Sequence, residues 1–362
     1  MRTESLSFLK RLLDTPSPSG FERAGQRVWL DYVKPFATRT WNDAYGNCFA
    51  ELIPATSDAP TIAVCGHADE IGLMVNHIDE KGFIYCKSIG GIDAGSIVGK
   101  RIQFQSSVPG VTNPVIGVIG ATAIHLQDKA NEGKVRKLHE LFIDIGARSS
   151  EEALARLNLG DAGVFLESFL HLNDDLVIAR ALDNRVGTFA AAETLRLCFE
   201  HRNALQARVV AVSTVQEEIG IHGATMIANS LKPTVALITD VGHATDSPGI
   251  SAAQHGLFRL AGGPKLAVGG AMQPEIVERL IRHASEKDIP LQRAATPGRS
   301  GTDTDTIFLQ QGGIPCGLVS LPIRYMHTTV EMTSLRDLER IAELFAAFCM
   351  GMQARESFCP TL

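Results

Sequence analysis

Glu217 and Glu218 stand where an apolar run, Val209 to Val215, gives out toward Gly220. The run has the texture of a buried strand, and strand tips are where an open α/β sheet presents its chemistry. Two like charges side by side repel unless a cation, a proton or a basic partner lies between them. One carboxylate could hold a metal while its neighbour moves a proton; a solvated turn is the ordinary alternative. His67-Ala68-Asp69 follows another apolar run, Thr61 to Cys65. An imidazole that binds metal through one ring nitrogen needs its other N–H held, and Asp69 is placed to hold it; a structural histidine is the competing reading. Asp183 opens a helical stretch, where it either caps the helix or bridges two cations with its two oxygens. Asp240 ends the run Thr234 to Thr239, as a turn residue or a metal carboxylate. His327 follows Val319 to Met326, structural or ligating, with Glu331 beyond it placed to cap the last helix.

Two histidines and four acidic groups thus fall at the ends of predicted strands and at one helix start. Carboxylate and imidazole sets without cysteine suit Zn, Mn or Co. With Asp183 shared there are enough ligands for two ions about 3.5–4 Å apart, the arrangement that clamps a hydrolytic water.

The elements that must position these groups alternate. Glu4 to Leu13 is an amphipathic helix; Pro16 and Pro18 break it, and Ser19 with Glu22 reads as a capping box for a second helix, Phe21 to Tyr32. From Asp183 onward helices (Asp183 to Cys198, Gly223 to Ser230, Gln273 to Lys287, Thr304 to Gln310, Ser334 to Met352) interleave with strands (Ala207 to Val215, Thr234 to Thr239, Ile289 to Arg293, Cys316 to Leu321). That rhythm predicts an α/β fold, a mixed β-sheet sandwiched by helices. Between Leu73 and Leu166 it is replaced by short β-type runs cut by Gly, Pro, Asp and Asn, a small β-barrel inserted into the main unit. The division expected is 1–72 with 167–362 as a discontinuous catalytic domain, and 73–166 as the insert. The tail Phe358 to Leu362 reads as loose.

A chain of 362 residues can bury a large core. The net charge of −6, with no Lys/Arg cluster, argues against a nucleic-acid partner. No apolar run reaches the roughly 20 residues of a membrane span, and the start lacks a signal-peptide core. Seven scattered cysteines, never C-x-x-C, read as reduced core thiols rather than disulfides or a zinc-thiolate site. The expected location is cytoplasmic.

An ordered set of strings carries a resemblance: Gly66-His67-Ala68-Asp69-Glu70, Leu141 to Ala147, Leu182-Asp183-Asn184-Arg185, Gln216-Glu217-Glu218-Ile219-Gly220, Asp240 with Asp246-Ser247-Pro248-Gly249, Ser300-Gly301-Thr302-Asp303, and Arg324-Tyr325-Met326-His327. From about Leu6 to Met352 the chain resembles the di-metal aminopeptidases of the glutamyl/leucyl/lysyl type that assemble into tetrahedral shells. The resemblance implies two divalent ions per subunit, Zn with Co or Mn as alternatives. His67 and Asp240 would bind one, Glu218 and His327 the other, and Asp183 would bridge them. Glu217 would be the general base and Asp69 would orient His67. It implies short peptides as substrates, an inserted dimerisation domain, and dimers assembling into a dodecamer.

Gly242, His222 and Thr328 depart from common patterns of that family. They keep open an amidase or deacylase acting on a small amide or modified dipeptide at the same metal site. A glycosidase would need its carboxyls about 5–9.5 Å apart across one bond, and would leave His67, Asp240 and His327 without a task. A non-catalytic assembly protein would leave the full ligand set unexplained.

Overall fold

The computed structural model describes residues 1–55, 58–126, 133–356 and 358–359. Its strands, in chain order, are β1 (Arg39–Asn42), β2 (Cys48–Leu52), β3 (Thr61–His67), β4 (Gly72–Ile78), β5 (Ile84–Ile89), β6 (Arg101–Phe104), β7 (Val115–Gly120), β8 (Phe142–Asp144), β9 (Ala162–Phe165), β10 (Leu170–His171), β11 (Leu176–Ala179), β12 (Arg208–Thr214), β13 (Val235–His243), β14 (Lys265–Val268), β15 (Gln292–Ala295), β16 (Cys316–Arg324) and β17 (Glu331–Ser334). They form two sheets, a mixed one with helices packed on it and a closed antiparallel barrel.

The mixed sheet runs β1-β2-β12-β3-β13-β16-β17-β11-β10, with β14 and β15 attached to β16. At its centre β12, β3, β13 and β16 are mutually parallel, and their near-continuous burial explains the unbroken apolar runs that mark them in the sequence. The outer strands β1, β2, β11 and β17 add antiparallel pairings. These are short and carry polar residues such as Thr40, Glu51 and Glu331, so no period stood out in the sequence.

The barrel closes in the order β4-β5-β8-β7-β6-β9. On β7 the side chains alternate, Val115 and Ile119 inward with Ile116 and Val118 outward. The inward set joins Leu73, Ile84, Ile102, Phe104, Ile143 and Phe165 in a core separate from that of the mixed sheet.

Several local expectations change. The helix Arg23–Val33 has no side-chain cap: the Ser19 hydroxyl donates to Asp69 (2.6 Å), and Glu22 accepts from the backbone N–H of Gly20 and Gln216. β13 continues three residues past Asp240, because β16 stays paired to it as far as Ile323. β16 likewise runs through Pro322. On its other side it pairs β14 at Val319–Ser320 and β17 from Ile323, so no ladder partner is needed at Pro322. The helix expected over Thr304 to Gln310 is one turn, Thr304–Ile307. In the tail, Phe358 is buried and stacks on Phe348, while 360–362 lie outside the described residues.

One helix, Leu182–Glu200, packs on β3, β12 and β13 and is buried along most of its length. Arg185 fixes its start. The guanidinium is fully buried, pairs with Glu70, and donates to the carbonyls of Leu12 and Thr15 at the end of the first helix, Thr3–Asp14. Glu70 also accepts from Arg180 at 2.5 Å, so one buried carboxylate serves two guanidiniums. Just beyond, backbones touch: a Cβ on Gly66 would lie 2.3 Å from the carbonyl carbon of Gly187. Only a glycine at 66 allows β3 and this helix to approach so closely, and the approach places His67 beside Asp183. Gly66→Ala is therefore expected to destabilise the fold by about 1–3 kcal/mol, the usual cost of overpacking, measured by urea unfolding; a change within about 0.5 kcal/mol, as at an ordinary surface site, would show that the contact is not close.

Candidate metal centre

His67, Asp183, Glu217, Glu218, Asp240 and His327 line one crevice, delivered by five separate parts of the chain. His67 ends β3. Glu217 and Glu218 lie in the turn after β12, Asp240 is on β13, and His327 is in the loop after β16. Asp183 comes from the irregular first turn of Leu182–Glu200, where it and Asn184 have non-helical φ/ψ. Its side chain caps nothing; the cap position is Ala181.

The Asp183 carboxylate divides its oxygens between two imidazoles. Oδ1 is 3.2 Å from His67 Nε2 and Oδ2 is 3.3 Å from His327 Nε2. His67 Nε2 is also 3.7 Å from Asp240 Oδ1 and 3.8 Å from Glu217 Oε2. His327 Nε2 is 3.5 Å from Glu218 Oε2. Most of these separations are long for hydrogen bonds. They are what two ligand atoms show when each lies about 2.0–2.2 Å from one tetrahedral ion, roughly 3.3–3.5 Å apart. His67, Asp183 and Glu218 offer ligand atoms within 4.8 Å of one another, and the buried Glu218 Oε1 has no hydrogen-bond partner. Crowded carboxylates, an orphaned oxygen and two imidazoles presenting Nε2 together fit a divalent-ion site.

The metal-free electrostatics show how uneasy the cluster is. Burial pushes Glu217 up to about 7, aided by Asp303, Asp69 and Asp183 against His67. Burial, then Asp183, raises Glu218 well above the carboxylate range; burial raises Asp240 likewise. Asp183 alone is held low: burial opposes ionisation, but hydrogen bonds from His327 and His67 outweigh it. For His67, burial pulls the imidazolium down while Asp183 and Asp69 hold it well up; for His327, the Asp183 hydrogen bond leads the rise.

A surrounding set of buried acids holds the backbone that presents these groups. Asp69 accepts from the N–H of Glu217 (Oδ1, 3.0 Å) and of Glu218 (Oδ2, 3.1 Å). Its own carbonyl lies 3.2 Å from His67 Nδ1, its carboxylate 3.5 Å. Glu331 is not a helix cap; Ser334 caps that helix. It is buried on β17 and accepts from Asp183 N–H (2.9 Å) and His327 N–H (3.1 Å). Glu22 accepts from Gln216 N–H at 3.2 Å. Gln216 (φ 58°) and His327 (φ 60°) are left-handed non-glycine residues, strained positions that persist where the surroundings over-determine them. Asp303, pushed up to about 6 by burial, accepts from the Thr214 hydroxyl at the end of β12. Cys48, Cys65, Cys198, Cys316 and Cys349 are buried free thiols.

A cavity of about 480 Å³ opens on the cluster, lined on its far side by Gly242, Lys265, Ala267, Thr296, Ser300 and Ser320 among others. Gly242 therefore borders the site. His222 instead hydrogen-bonds Gln216 on the exposed side of the turn, and the Thr328 hydroxyl donates to the Val330 carbonyl.

The sequence matches the profile of the M42 glutamyl aminopeptidases over residues 46–344. The chain belongs to that family. It is 31% identical to the lysyl aminopeptidase of Pyrococcus furiosus, over 94% of this chain and 95% of that one. Among solved structures it resembles a TET aminopeptidase from the marine sediment archaeon Thaumarchaeota archaeon SCGC AB-539-E09, with a TM-score of 0.91 at 28% identity over 97% and 98% of the two chains. It also resembles the TET1 peptidase of Pyrococcus horikoshii, which can assemble into a tetrahedron or a large octahedral shell, with a TM-score of 0.83 at 30% identity over 96% and 100%. An M42 peptidase is a metal-dependent hydrolase that releases residues from peptide N-termini.

A divalent ion entering the cluster must displace the protons that the metal-free groups retain. His67 and His327 are raised, so they stay protonated to higher pH than a free imidazole; Glu218 and Asp240 are raised, so they too keep a proton. Zinc affinity should therefore weaken as pH falls from about 8 toward 6, with protons released on binding. Titration calorimetry in buffers of different ionisation enthalpy reads both quantities; an affinity flat across that range with no proton release would contradict this.

Proposed function

We propose that the crevice is a two-ion aminopeptidase centre. The observation that supports this best is the division of Asp183 between the two imidazoles, one oxygen to each. His67 and Asp240 would hold one ion, Glu218 and His327 the other, with Asp183 shared. Zn suits this donor set, and Co and Mn accept the same ligands. Such a pair of ions, when bound, supplies an acidified water and a polarised scissile carbonyl.

The chain's own groups do the rest. Glu217 Oε2 faces the His67 side of the cluster at 3.8 Å, where a base would take a proton from water and return it to the leaving amine. Asp69 is a positioning residue: by accepting both Glu217 and Glu218 N–H groups it sets which carboxylate faces the water and which the ion. Glu331 does the same for Asp183 and His327. The free α-amine of the substrate, drawn to the cluster's carboxylates, would restrict cleavage to the first peptide bond. Short peptides are the proposed substrates, and N-acylated amides, which lack that amine, should be poor ones.

We also propose that the barrel, with Ile116 and Val118 on its outside, contributes a dimer contact and that dimers build a dodecamer, in keeping with the assembly of the Pyrococcus horikoshii relative. No helix among the described residues is long and apolar enough to cross a membrane. The free thiols support a reducing, cytoplasmic location.

Glu217→Gln keeps the shape and removes the base. It should bind zinc as the parent does and lose at least about 10²–10⁴-fold in kcat on an aminoacyl anilide. Near-parental turnover would remove Glu217 from the mechanism. Turnover that survives complete chelation would remove the ions.

A further inference from the structure

A second cavity, of about 450 Å³, lies between the helix Arg23–Val33 and the turn that joins β1 to β2. It shares no lining residue with the cavity over the cluster. The helix presents Arg23, Gln26, Arg27 and Leu30 to it, the i, i+3, i+4, i+7 pattern of one face. Two aromatic rings flank this groove, Phe21 being 43% and Tyr45 64% exposed.

The groove is short of an anion. Among the described residues neither the Arg23 nor the Arg27 guanidinium has an ion pair or a hydrogen bond, and the two acids beside them are engaged elsewhere. The Asp43 carboxylate accepts from the N–H groups of Tyr45, Gly46 and Asn47 and from the Asn47 amide. Glu22 Oε1 accepts from the N–H groups of Gly20 and Gln216. Side chains four apart on a helix stand about 6 Å from one another, close enough for two guanidiniums to share one carboxylate.

The groove is also short of a donor. Gln26 is 4% exposed, and its Nε2 donates to the carbonyls of Gly46 and Ser213, both at 2.9 Å. Two carbonyl partners fix the orientation of the amide, so the atom left over is Oε1, which is buried without a partner. An anion for the arginines, a donor for Gln26 and an apolar group for Phe21, Tyr45 and Leu30 are therefore the three things a ligand should bring. A zwitterionic α-amino acid with an aromatic side chain carries all three on adjacent atoms.

We propose that this groove is an inhibitory site for a free aromatic amino acid. The inference rests on the aminopeptidase reading, because free amino acids are what that reaction releases. The groove reaches the metal centre through the chain that presents it. Gln26 holds the Ser213 carbonyl, Asn47 Oδ1 accepts from Val215 N–H at 3.0 Å, and Glu22 accepts from Gln216 N–H at 3.2 Å. These three residues lead β12 into Glu217 and Glu218. An ammonium at Gln26 sits about one helical turn from Glu22 and draws that carboxylate off its long bond to Gln216, loosening the turn that aims the base. Binding should therefore act on kcat rather than on substrate affinity.

The test uses the zinc-loaded full chain, Leu anilide as substrate and L-phenylalanine as probe. As a product, phenylalanine also competes at the cluster, which raises the apparent KM alone; the groove should add a fall in kcat of at least about threefold at saturation. Arg23→Gln combined with Arg27→Gln should abolish the fall in kcat and leave the competition. Arg23→Lys combined with Arg27→Lys should retain it, which a merely misfolded variant would not. Phenylethylamine, without the carboxylate, and phenylacetate, without the ammonium, should leave kcat unchanged. Purely competitive inhibition of the parent, or a fall in kcat that survives the glutamine variant, would overturn the proposal. An equal fall with phenylacetate would make the groove a plain anion site and overturn it too. Calorimetry needs no turnover, and should count one more phenylalanine site on the parent than on the glutamine variant; equal counts would overturn the site. If no anilide is cleaved, the aminopeptidase reading falls and the calorimetric count alone decides the groove.

Discussion

Acidic groups buried together must find positive charge or give up their own. Asp183, Glu217, Glu218 and Asp240 converge on His67 and His327 in a crevice where burial denies them water. Without ions, the cluster settles its repulsion by keeping protons on several members and leaving one Glu218 oxygen unpartnered. A divalent ion offers the positive charge that those protons supply, and the spacing of the donors leaves room for it. The rest of the molecule is organised to keep this unfavourable assembly from relaxing apart.

That restraint works through backbone more than side chain. Asp69, Glu331 and Glu22 are acids that never reach the centre of the crevice, yet each accepts a backbone N–H from a residue in it or next to it. A carboxylate bonded to N–H groups fixes chain position without adding a mobile charge to the site. Behind them, the Gly66–Gly187 contact and the Arg185–Glu70 pair lock β3, the long helix and the first helix to one another. A cluster delivered by four strands and a helix start holds its geometry only if those elements cannot slide. The result is preorganisation: the ordering is done on folding rather than at each turnover.

Much of this was legible in the sequence, for a physical reason. Parallel central strands are buried on both faces, so β3, β12, β13 and β16 appear as apolar runs, and the groups just past them are drawn to one edge of one sheet. The barrel also announced itself, because its short strands are cut by turn residues. Edge strands did not: β1 and β17 are four residues long and mixed in polarity, and Glu331 on β17 passed for a helix cap because one acid ahead of a helix is most often that. Ser19 and Glu22 had the spacing of a capping box, but Asp69 and Gln216, distant in sequence, outcompete the helix for them.

The central claim is that Asp183 is shared between two ions, and its most direct test is anomalous diffraction from crystals grown with zinc, collected on both sides of the zinc edge. Two peaks about 3.5–4 Å apart should appear, one beside His67 and Asp240, the other beside Glu218 and His327, with an Asp183 oxygen reaching each. A single peak at full zinc loading, or two peaks of which one lies away from Asp183, would contradict the account.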